Sequence, residues 1–267
     1  MWTPSELRSE SHPAKGEAWR VVEAQHENST RKLTRNSEEQ QLLEELLEQS
    51  KPPYPPAAIA LDYLLKSPFR YEPPWPHGSR FRRPYCQEGV FYCAEHISTA
   101  LAEMAFYRLL FFSGSPETPL PDAATPLSVF SIAYKTSRML NLTRPPLSAD
   151  QQLWEEMQDY QQTQRLADQC RKAEIQIIRY LSIRDPKRGH NLAILHPGAF
   201  ASPQPMCMQT WFLMIKPDEV DIYRTHSRSE RFSFQRTLFT ADPRLQTTTT
   251  KPLHETEVNL ALTPLTD

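Results

Sequence analysis

Residues 67–112 read SPFRYEPPWPHGSRFRRPYCQEGVFYCAEHISTALAEMAFYRLLFF and contain the most informative pattern of this chain. The pattern predicts a buried strand over residues 90–94 that leads into a helix around Glu103. This helix is apolar on nearly all sides, which predicts that it is buried. The apolar residues near Glu103 are Leu101, Ala102, Met104, Ala105, Phe106, Leu109 and Leu110.

Glu103 is the informative residue of this stretch. A carboxylate on a buried helix costs free energy of desolvation unless another group pairs with it. One interpretation is structural: an ion pair with a nearby arginine, or a position at a solvent window. The other is a catalytic carboxylate that faces an arginine-lined cleft. The nearby arginines are Arg70, Arg80, Arg82, Arg83 and Arg108.

The composition is that of a globular protein with one large domain or two small ones. The chain has 267 residues, of which 39% are hydrophobic and 23% charged, and its formal net charge is -2. Such a balance gives no global attraction to nucleic acid or to a membrane surface. With 25 prolines and only 6 glycines, the chain has neither a GxGxxG nor a GxxxxGK[ST] phosphate loop.

The cysteines and histidines show no metal-ligand spacing, so we expect no metal site. The four cysteines are scattered, which is typical of buried thiols in a reducing compartment. The sequence contains no apolar run of membrane-spanning length and no apolar signal-peptide core. We therefore expect a cytoplasmic protein.

Composition suggests three parts. Residues 1–58 are expected to be an N-terminal extension whose first 15 or so residues are loose. Within it, Ser37 and Gln40 form a capping-box pattern, and a leucine stripe predicts an amphipathic helix docked on the main domain. A proline-rich arm follows over residues 51–58. Residues 59–240 should be the catalytic domain and residues 241–267 a flexible tail.

Further elements follow from local pattern, and together they predict an α+β fold. Residues 148–172 predict one long helical segment. Apolar and β-branched runs predict strands at 127–134, 175–181, 191–195, 210–216, 220–223 and 230–239.

Three ordered motifs resemble the RES family, which is found as toxins of bacterial toxin–antitoxin pairs. They are PFRYEPPWPHGSRFRRP, GVFYCAEHISTALAEMAFYR and IRYLSIRDP. The resemblance extends over about residues 19–239. It implies a mixed sheet core with flanking helices, similar to ADP-ribosyltransferase toxins. It also implies that NAD is consumed as a substrate, with no cofactor besides a possible co-substrate, inorganic phosphate.

The resemblance assigns functional residues by motif. The family's second arginine lies in a Gly-Gly-Arg-Trp-Asn-like turn, but here the turn is GSRFRR without Trp-Asn, so the choice between Arg80 and Arg82 stays open. The implied catalytic residues are Arg70, Glu103 and Ser182, and the implied substrate-binding residues are Tyr71, Arg80, Arg82 and Tyr92.

These residue types suit NAD chemistry. Arginine forks bind the oxygens of a pyrophosphate and stay charged at any working pH. Cleavage of the nicotinamide–ribose bond has an oxocarbenium-like transition state that a fixed carboxylate stabilises. Since the nicotinamide ring is already cationic in NAD and leaves as a neutral molecule, no general acid is required and one carboxylate suffices.

Three functions remain open: an NAD-degrading toxin, a transferase that places ADP-ribose on a protein, and a non-enzymatic binding module. Water or phosphate is the acceptor in the first case. The resemblance also implies a neutralising antitoxin with a helix-turn-helix-like part. Because this chain has no DNA-reading motif and is not basic, we expect any DNA binding to come from that partner.

Overall fold

Eight strands form one mixed sheet in the part of the chain that is described. The structure is a computed structural model that describes residues 2–24, 33–71, 78–115, 117–224 and 230–246. The strands are β1 (His12–Glu23), β2 (Phe91–Ala94), β3 (Thr125–Asn141), β4 (Ile177–Leu181), β5 (His190–Ile194), β6 (Cys207–Ile215), β7 (Glu219–Tyr223) and β8 (Arg231–Gln235).

Helices flank this sheet, so the predicted α+β fold is confirmed. Across the described ranges, no helix is both long enough and apolar enough to span a bilayer. The helices are α1 (Pro4–Ser9), α2 (Ser37–Ser50), α3 (Tyr63–Lys66), α4 (Ile97–Ser113), α5 (Gln151–Trp154) and α6 (Gln161–Lys172).

Five of the strands close into a ring. The pairings run from β1 through β2, β5, β4 and β3 and return to β1. β3 can take part because it is long: residues 125–131 pair with β6, and residues 139–141 pair in parallel with β4. β6, β7 and β8 continue the sheet beyond the ring. Every ring strand contributes to one buried cluster, which includes Ala18, Phe91, Phe130, Ile132, Ile177 and Leu192.

The N-terminal residues are more ordered than their polarity suggests, so the expectation of a loose start is wrong. α1 begins with a reciprocal capping box between Thr3 and Glu6, and its Leu7 is fully buried. β1 follows and pairs with β3 from His12 to Glu23. Backbone pairing and one buried leucine therefore hold a segment that is poor in apolar residues. The proposed boundary at residue 58 stays a prediction.

The leucine stripe of α2 does not dock on the domain, contrary to the sequence prediction. No residue of this helix is buried, and Leu42 and Leu46 are 57% and 54% exposed. The polar end of the helix makes the contact instead, because Glu48 forms an ion pair with Arg70.

The predicted long helix over residues 148–172 is divided into a 3₁₀ turn, α5 and α6. Local hydrogen bonds from the backbone to acidic side chains accompany the break. The Glu156 carboxylate accepts from the backbone N–H groups of Met157 and Gln158, and Asp159 accepts from that of Gln161. Such local bonds compete with the backbone bonds of a continuous helix.

The predicted tail begins with ordered residues. Asp242 and Leu245 are buried, and residues 243–245 form a 3₁₀ turn. Residues 247–267, which make up most of the predicted tail, lie outside the described residues.

Candidate active site

Glu103 lies on α4, and polar side chains fix its carboxylate. Its Oε1 accepts a hydrogen bond of 2.7 Å from the Ser182 hydroxyl and one of 2.6 Å from the Asn191 amide. Among the described residues, none donates a hydrogen bond to Oε2 or forms an ion pair with Glu103. The structural alternative of a Glu103–arginine pair is therefore not found, and one carboxylate oxygen is left for a ligand.

The two donors meet because they come from neighbouring strands. Ser182 directly follows β4, and Asn191 lies on β5, which pairs antiparallel with β4. The Ser182 hydroxyl also accepts from the N–H groups of Arg184 and Asp185, at 3.3 and 3.0 Å. Ser182 is fully buried, so its side chain orients Glu103 and the following turn.

A close contact joins this turn to α4. The Thr99 hydroxyl on α4 donates to Asp185 Oδ2 at 2.7 Å, and the Gly189 N–H donates to the same oxygen. A Cβ at Gly189 would lie 2.1 Å from Thr99 Oγ1, so only glycine allows the β4–β5 connection to approach the helix. Glu103 lies on α4, and Ser182 begins the β4–β5 connection. The contact between these two elements therefore holds the Ser182 hydroxyl next to the Glu103 carboxylate.

Glu103 faces a pocket of about 580 Å³. This volume is within the usual range for small-molecule sites. Its walls carry many aromatic and arginine side chains, and Glu103 is the one acidic residue among the described residues that line it. The lining includes Trp19, Arg20, Gly78, Ser79, Arg80, Tyr92, Met104, Tyr107, Tyr160, Tyr180, Ile183, Arg184, Asn191 and Arg244.

Tyr92 lies in this pocket, as its predicted role requires. Its hydroxyl accepts from the Phe81 N–H at 3.0 Å and shares a 2.8 Å hydrogen bond with the Ser79 hydroxyl. Burial raises the pKa of Tyr92, and these hydrogen bonds only partly offset that effect. Burial also raises the pKa of Tyr180 well above its ordinary value. Both phenols therefore stay neutral at working pH.

Arg80 points into the pocket and Arg82 points away from it. A tight turn with backbone bonds between Ser79 and Arg82 separates the two arginines. Gly78 opens this turn at a φ of 63°, where a Cβ would lie 2.3 Å from the Arg82 carbonyl oxygen. Arg80 donates to the Trp154 carbonyl at 2.6 Å and lies over the Tyr160 ring. Arg82 is buried near the Gln87 carbonyl.

The structure does not bring Arg70 or Tyr71 to this pocket. The Arg70 guanidinium pairs with Glu48 at 2.6 Å, donates to the Pro52 carbonyl and stacks over the Tyr54 ring. Tyr71 lies beside it, 39% exposed. These contacts favour a structural ion pair for Arg70, and its predicted catalytic role stays untested.

Arg20 of β1 lines the pocket but was not predicted from the sequence. It donates to the Tyr92 carbonyl at 2.6 Å and stacks over the Phe91 ring, and its buried Nε has no partner among the described residues. The pair Trp19-Arg20 at the start of an apolar run was the available signal. It has the same aromatic–arginine order as Phe69-Arg70 in the first of the three motifs.

Two further arginines were also missed. Arg184 follows the Ser182 turn and lies 3.9 Å from the centre of the Phe106 ring. Arg244 comes from the C-terminal segment and lines the same pocket. Asp242 pairs with both arginines, at 2.8 Å each. Sequence pattern could not reveal this cluster, because its members lie almost 60 residues apart.

A second depression of about 720 Å³ lies away from Glu103. Its charged residues already pair with each other: Arg138 with Glu174, and Arg171 with Glu88. It therefore offers less uncompensated charge to a ligand than the Glu103 pocket does, and we take the Glu103 pocket as the site.

The described residues contain no group of three or more His, Cys, Asp or Glu side chains placed to hold a metal ion. The sequence-based expectation of no metal remains a prediction. The buried cysteines are poor ligands in any case, because burial raises the pKa of Cys93 to about 12.

Comparison with known proteins identifies the family. The family model of the RES domain matches residues 55–215, which is more than half of the chain. The chain belongs to the RES domain family. No curated protein matches it significantly. A chain of the crystal structure of the M. tuberculosis MbcT–MbcA toxin–antitoxin complex is similar at 11% identity with a TM-score of 0.44, over 79% of this chain and 91% of that one. This similarity carries no conclusion on function.

The RES domain holds most of the site but not all of it. Glu103, Ser182 and Asn191 lie inside the matched residues, whereas Arg20 and Arg244 lie on either side of them. RES domain toxins generally act on NAD, so family membership supports a toxin-like, NAD-related function.

Proposed function

We propose that this RES protein cleaves the nicotinamide–ribose bond of NAD. The observation that carries the proposal is the fixed carboxylate of Glu103, held through Oε1 by Ser182 and Asn191 at the wall of an arginine-rich pocket. A preoriented charge of this kind stabilises a transition state without having to reorganise during the reaction.

The pocket walls suit the other parts of NAD. Arg20 and Arg80 have no carboxylate partner among the described residues, so their charge is available to a pyrophosphate. Aromatic rings such as Tyr107 and Tyr160 offer stacking surfaces for flat bases. The pocket lining does not include Arg70, Tyr71 or Arg82. Their predicted contacts with the substrate stay predictions.

The proposed step breaks the C–N bond between ribose and nicotinamide. The bonding electron pair goes to the pyridinium nitrogen, which makes nicotinamide neutral and leaves positive charge on the ribose. Glu103 stabilises that charge. An oxygen of water or of inorganic phosphate then bonds to the anomeric carbon, and water releases one proton to solvent. The products are nicotinamide with ADP-ribose, or nicotinamide with phosphorylated ADP-ribose.

Labelled NAD identifies the acceptor. NAD labelled in the ADP-ribose part is incubated with the protein, with and without phosphate, and the products are separated by chromatography. Free ADP-ribose indicates hydrolysis, and a phosphate-dependent product indicates phosphorolysis. Label that stays on protein would instead favour the ADP-ribosyltransferase function. Unchanged NAD under all conditions would overturn the proposal and favour a non-enzymatic module.

We also propose a protein antitoxin as partner, since uncontrolled NAD loss in the cytoplasm would harm the cell. The arginine-rich mouth of the pocket suits a chain terminus inserted with its carboxylate toward Arg80. Co-expression with the neighbouring gene tests this: the complex should consume no NAD, and truncation of the partner's terminus should restore consumption. An active complex with an open pocket would contradict the blocking mechanism only.

A further inference from the structure

Asp242 is a buried charge that pairs with two arginines of the pocket. Its residue exposure is 1%. It accepts a hydrogen bond of 2.8 Å from the Arg244 guanidinium and forms an ion pair of 2.8 Å with Arg184. Both arginines also donate to the Met157 carbonyl, at 3.3 and 3.1 Å. The carboxylate thus neutralises one wall of the pocket without occupying it.

The segment that carries Asp242 is firmly held. Leu245 is fully buried in the cluster around α4, and the Arg244 N–H donates to Asp242 Oδ1 at 3.1 Å. Although burial by itself raises the pKa of Asp242, the hydrogen bonds from Arg244 and the charges of Arg184 and Arg244 lower it overall. Asp242 therefore carries its negative charge at neutral pH.

The other two pocket arginines have no such compensation. Arg20 donates to the Tyr92 carbonyl and Arg80 to the Trp154 carbonyl, and neither has a carboxylate partner among the described residues. Among the described residues, four arginines line the pocket and two carboxylates offset them, Glu103 in the lining and Asp242 behind it. The excess of two positive charges equals the charge of one pyrophosphate.

We infer that Asp242 is a specificity-determining residue that limits the pocket to a dinucleotide with no phosphate group beyond its pyrophosphate. A ligand with an additional phosphate monoester, as in a 2′-phosphorylated dinucleotide, would find Arg184 and Arg244 already paired. This inference rests on the proposed function, because the ligand is NAD. Beyond that function, the inference explains why the pocket would bind NAD in preference to its 2′-phosphorylated form.

Two substitutions test the inference, because they change the charge available to a ligand in opposite directions. Asp242→Asn frees two arginines, whereas Arg244→Gln removes one positive charge and keeps Asp242 paired with Arg184. The probes are ADP-ribose and 2′-phospho-ADP-ribose, with dissociation constants measured by calorimetry. We expect Asp242→Asn to shift the affinity ratio toward the 2′-phosphorylated probe by about tenfold, and Arg244→Gln to shift it away.

Asp221→Asn is the matched control. Asp221 is also buried and pairs with two cations, Lys216 and Arg231, but it lies on β7 away from the pocket. The Asp221→Asn variant should have the same ratio of affinities for the two probes as the wild type. A ratio unchanged in Asp242→Asn, or shifted in the same direction by both pocket variants, would overturn the inference.

The test separates this inference from the proposed function. Binding of both probes is measured without turnover, so a protein that leaves NAD intact still reports the ratio. If the Asp242→Asn variant does not fold, the test rests on Arg244→Gln. A ratio of probe affinities equal to that of the wild type would then contradict the inference.

Discussion

Both hydrogen bonds to Glu103 end on the same oxygen, Oε1, so Ser182 and Asn191 set the direction in which Oε2 points. Ser182 is buried and absent from the pocket lining. We therefore assign it a positioning role, in which the hydroxyl acts through Glu103 rather than on the substrate.

Ser182→Ala should lower kcat for NAD consumption by up to about 10²-fold with little change in KM, because a misplaced carboxylate impairs the transition state more than binding. Steady-state kinetics on the folded protein check this. Ser131→Ala is the matched control, since Ser131 is equally buried and its hydroxyl has no partner among the described residues. Equal effects of both variants on KM and kcat would indicate a purely structural role.

Arg20→Lys should impair NAD consumption more than Arg70→Lys does. Lysine keeps the charge but loses the bidentate fork, and Arg20 lines the pocket whereas Arg70 pairs with Glu48. KM for NAD is the measurement, with thermal unfolding as a check on the fold. A larger loss in Arg70→Lys would restore the sequence-based assignment of Arg70 as the catalytic arginine.

His190 predicts a pH dependence of stability. Its Nδ1 lies 3.7 Å from Glu95, and burial, together with the charge of Arg179, lowers its pKa below the ordinary 6.5. The unfolded chain binds the proton more readily, so this contribution to stability is present above about pH 6.5 and is lost as the pH falls through the lowered pKa.

Between about pH 7.5 and pH 5.5, the free energy of unfolding should therefore fall more in the wild type than in His190→Gln. Urea unfolding at several pH values measures both slopes. Parallel curves would mean that His190 titrates alike in the folded and unfolded states.

At the scale of elements, the site depends on the contact between α4 and the β4–β5 connection. Thr99, Asp185 and Gly189 make this contact, and a Cβ at Gly189 would lie within 2.1 Å of the threonine hydroxyl oxygen. α4 presents Glu103 and the connection presents Ser182, so their separation would loosen the carboxylate.

Gly189→Ala should therefore destabilise the protein by roughly 1–3 kcal/mol, as overpacking of a close contact does, and should lower NAD consumption as well. Thermal and urea unfolding measure the first effect. Gly114→Ala is the control, because its Cβ would have no neighbour closer than 3.6 Å. Equal stability of the two variants would show that the connection can move without cost.

The elements that sequence predicted best are those whose side chains alternate or cluster. β2, β4, β5 and β7 lie where β-branched and aromatic runs placed them, and β8 lies within the predicted 230–239. β1 was not predicted because its backbone pairs with β3 while most of its residues are polar or half-exposed. The leucine stripe of α2 predicted that this helix is buried. Periodicity alone, however, does not show whether another part of the protein covers the leucines.

In the whole molecule, the candidate site includes residues from Trp19 to Arg244. The sequence motifs located Glu103, Ser182, Tyr92 and Arg80, which lie in or against one pocket. They did not locate Arg20, Arg184 or Arg244, because ring closure and the C-terminal turn bring these together only in the folded chain. Arg70 was chosen for its motif, and its ion pair with Glu48 depends on where α2 ends.

In the proposed reaction, the charge of Glu103 drives cleavage of NAD. The most direct measurement is the rate of nicotinamide release from NAD by the wild type and by Glu103→Gln, with and without inorganic phosphate, on protein shown to be folded. Glutamine keeps the shape of the side chain but not its charge. We predict release by the wild type and a loss of about 10²–10³-fold in Glu103→Gln. Release at the wild-type rate by Glu103→Gln would contradict the account.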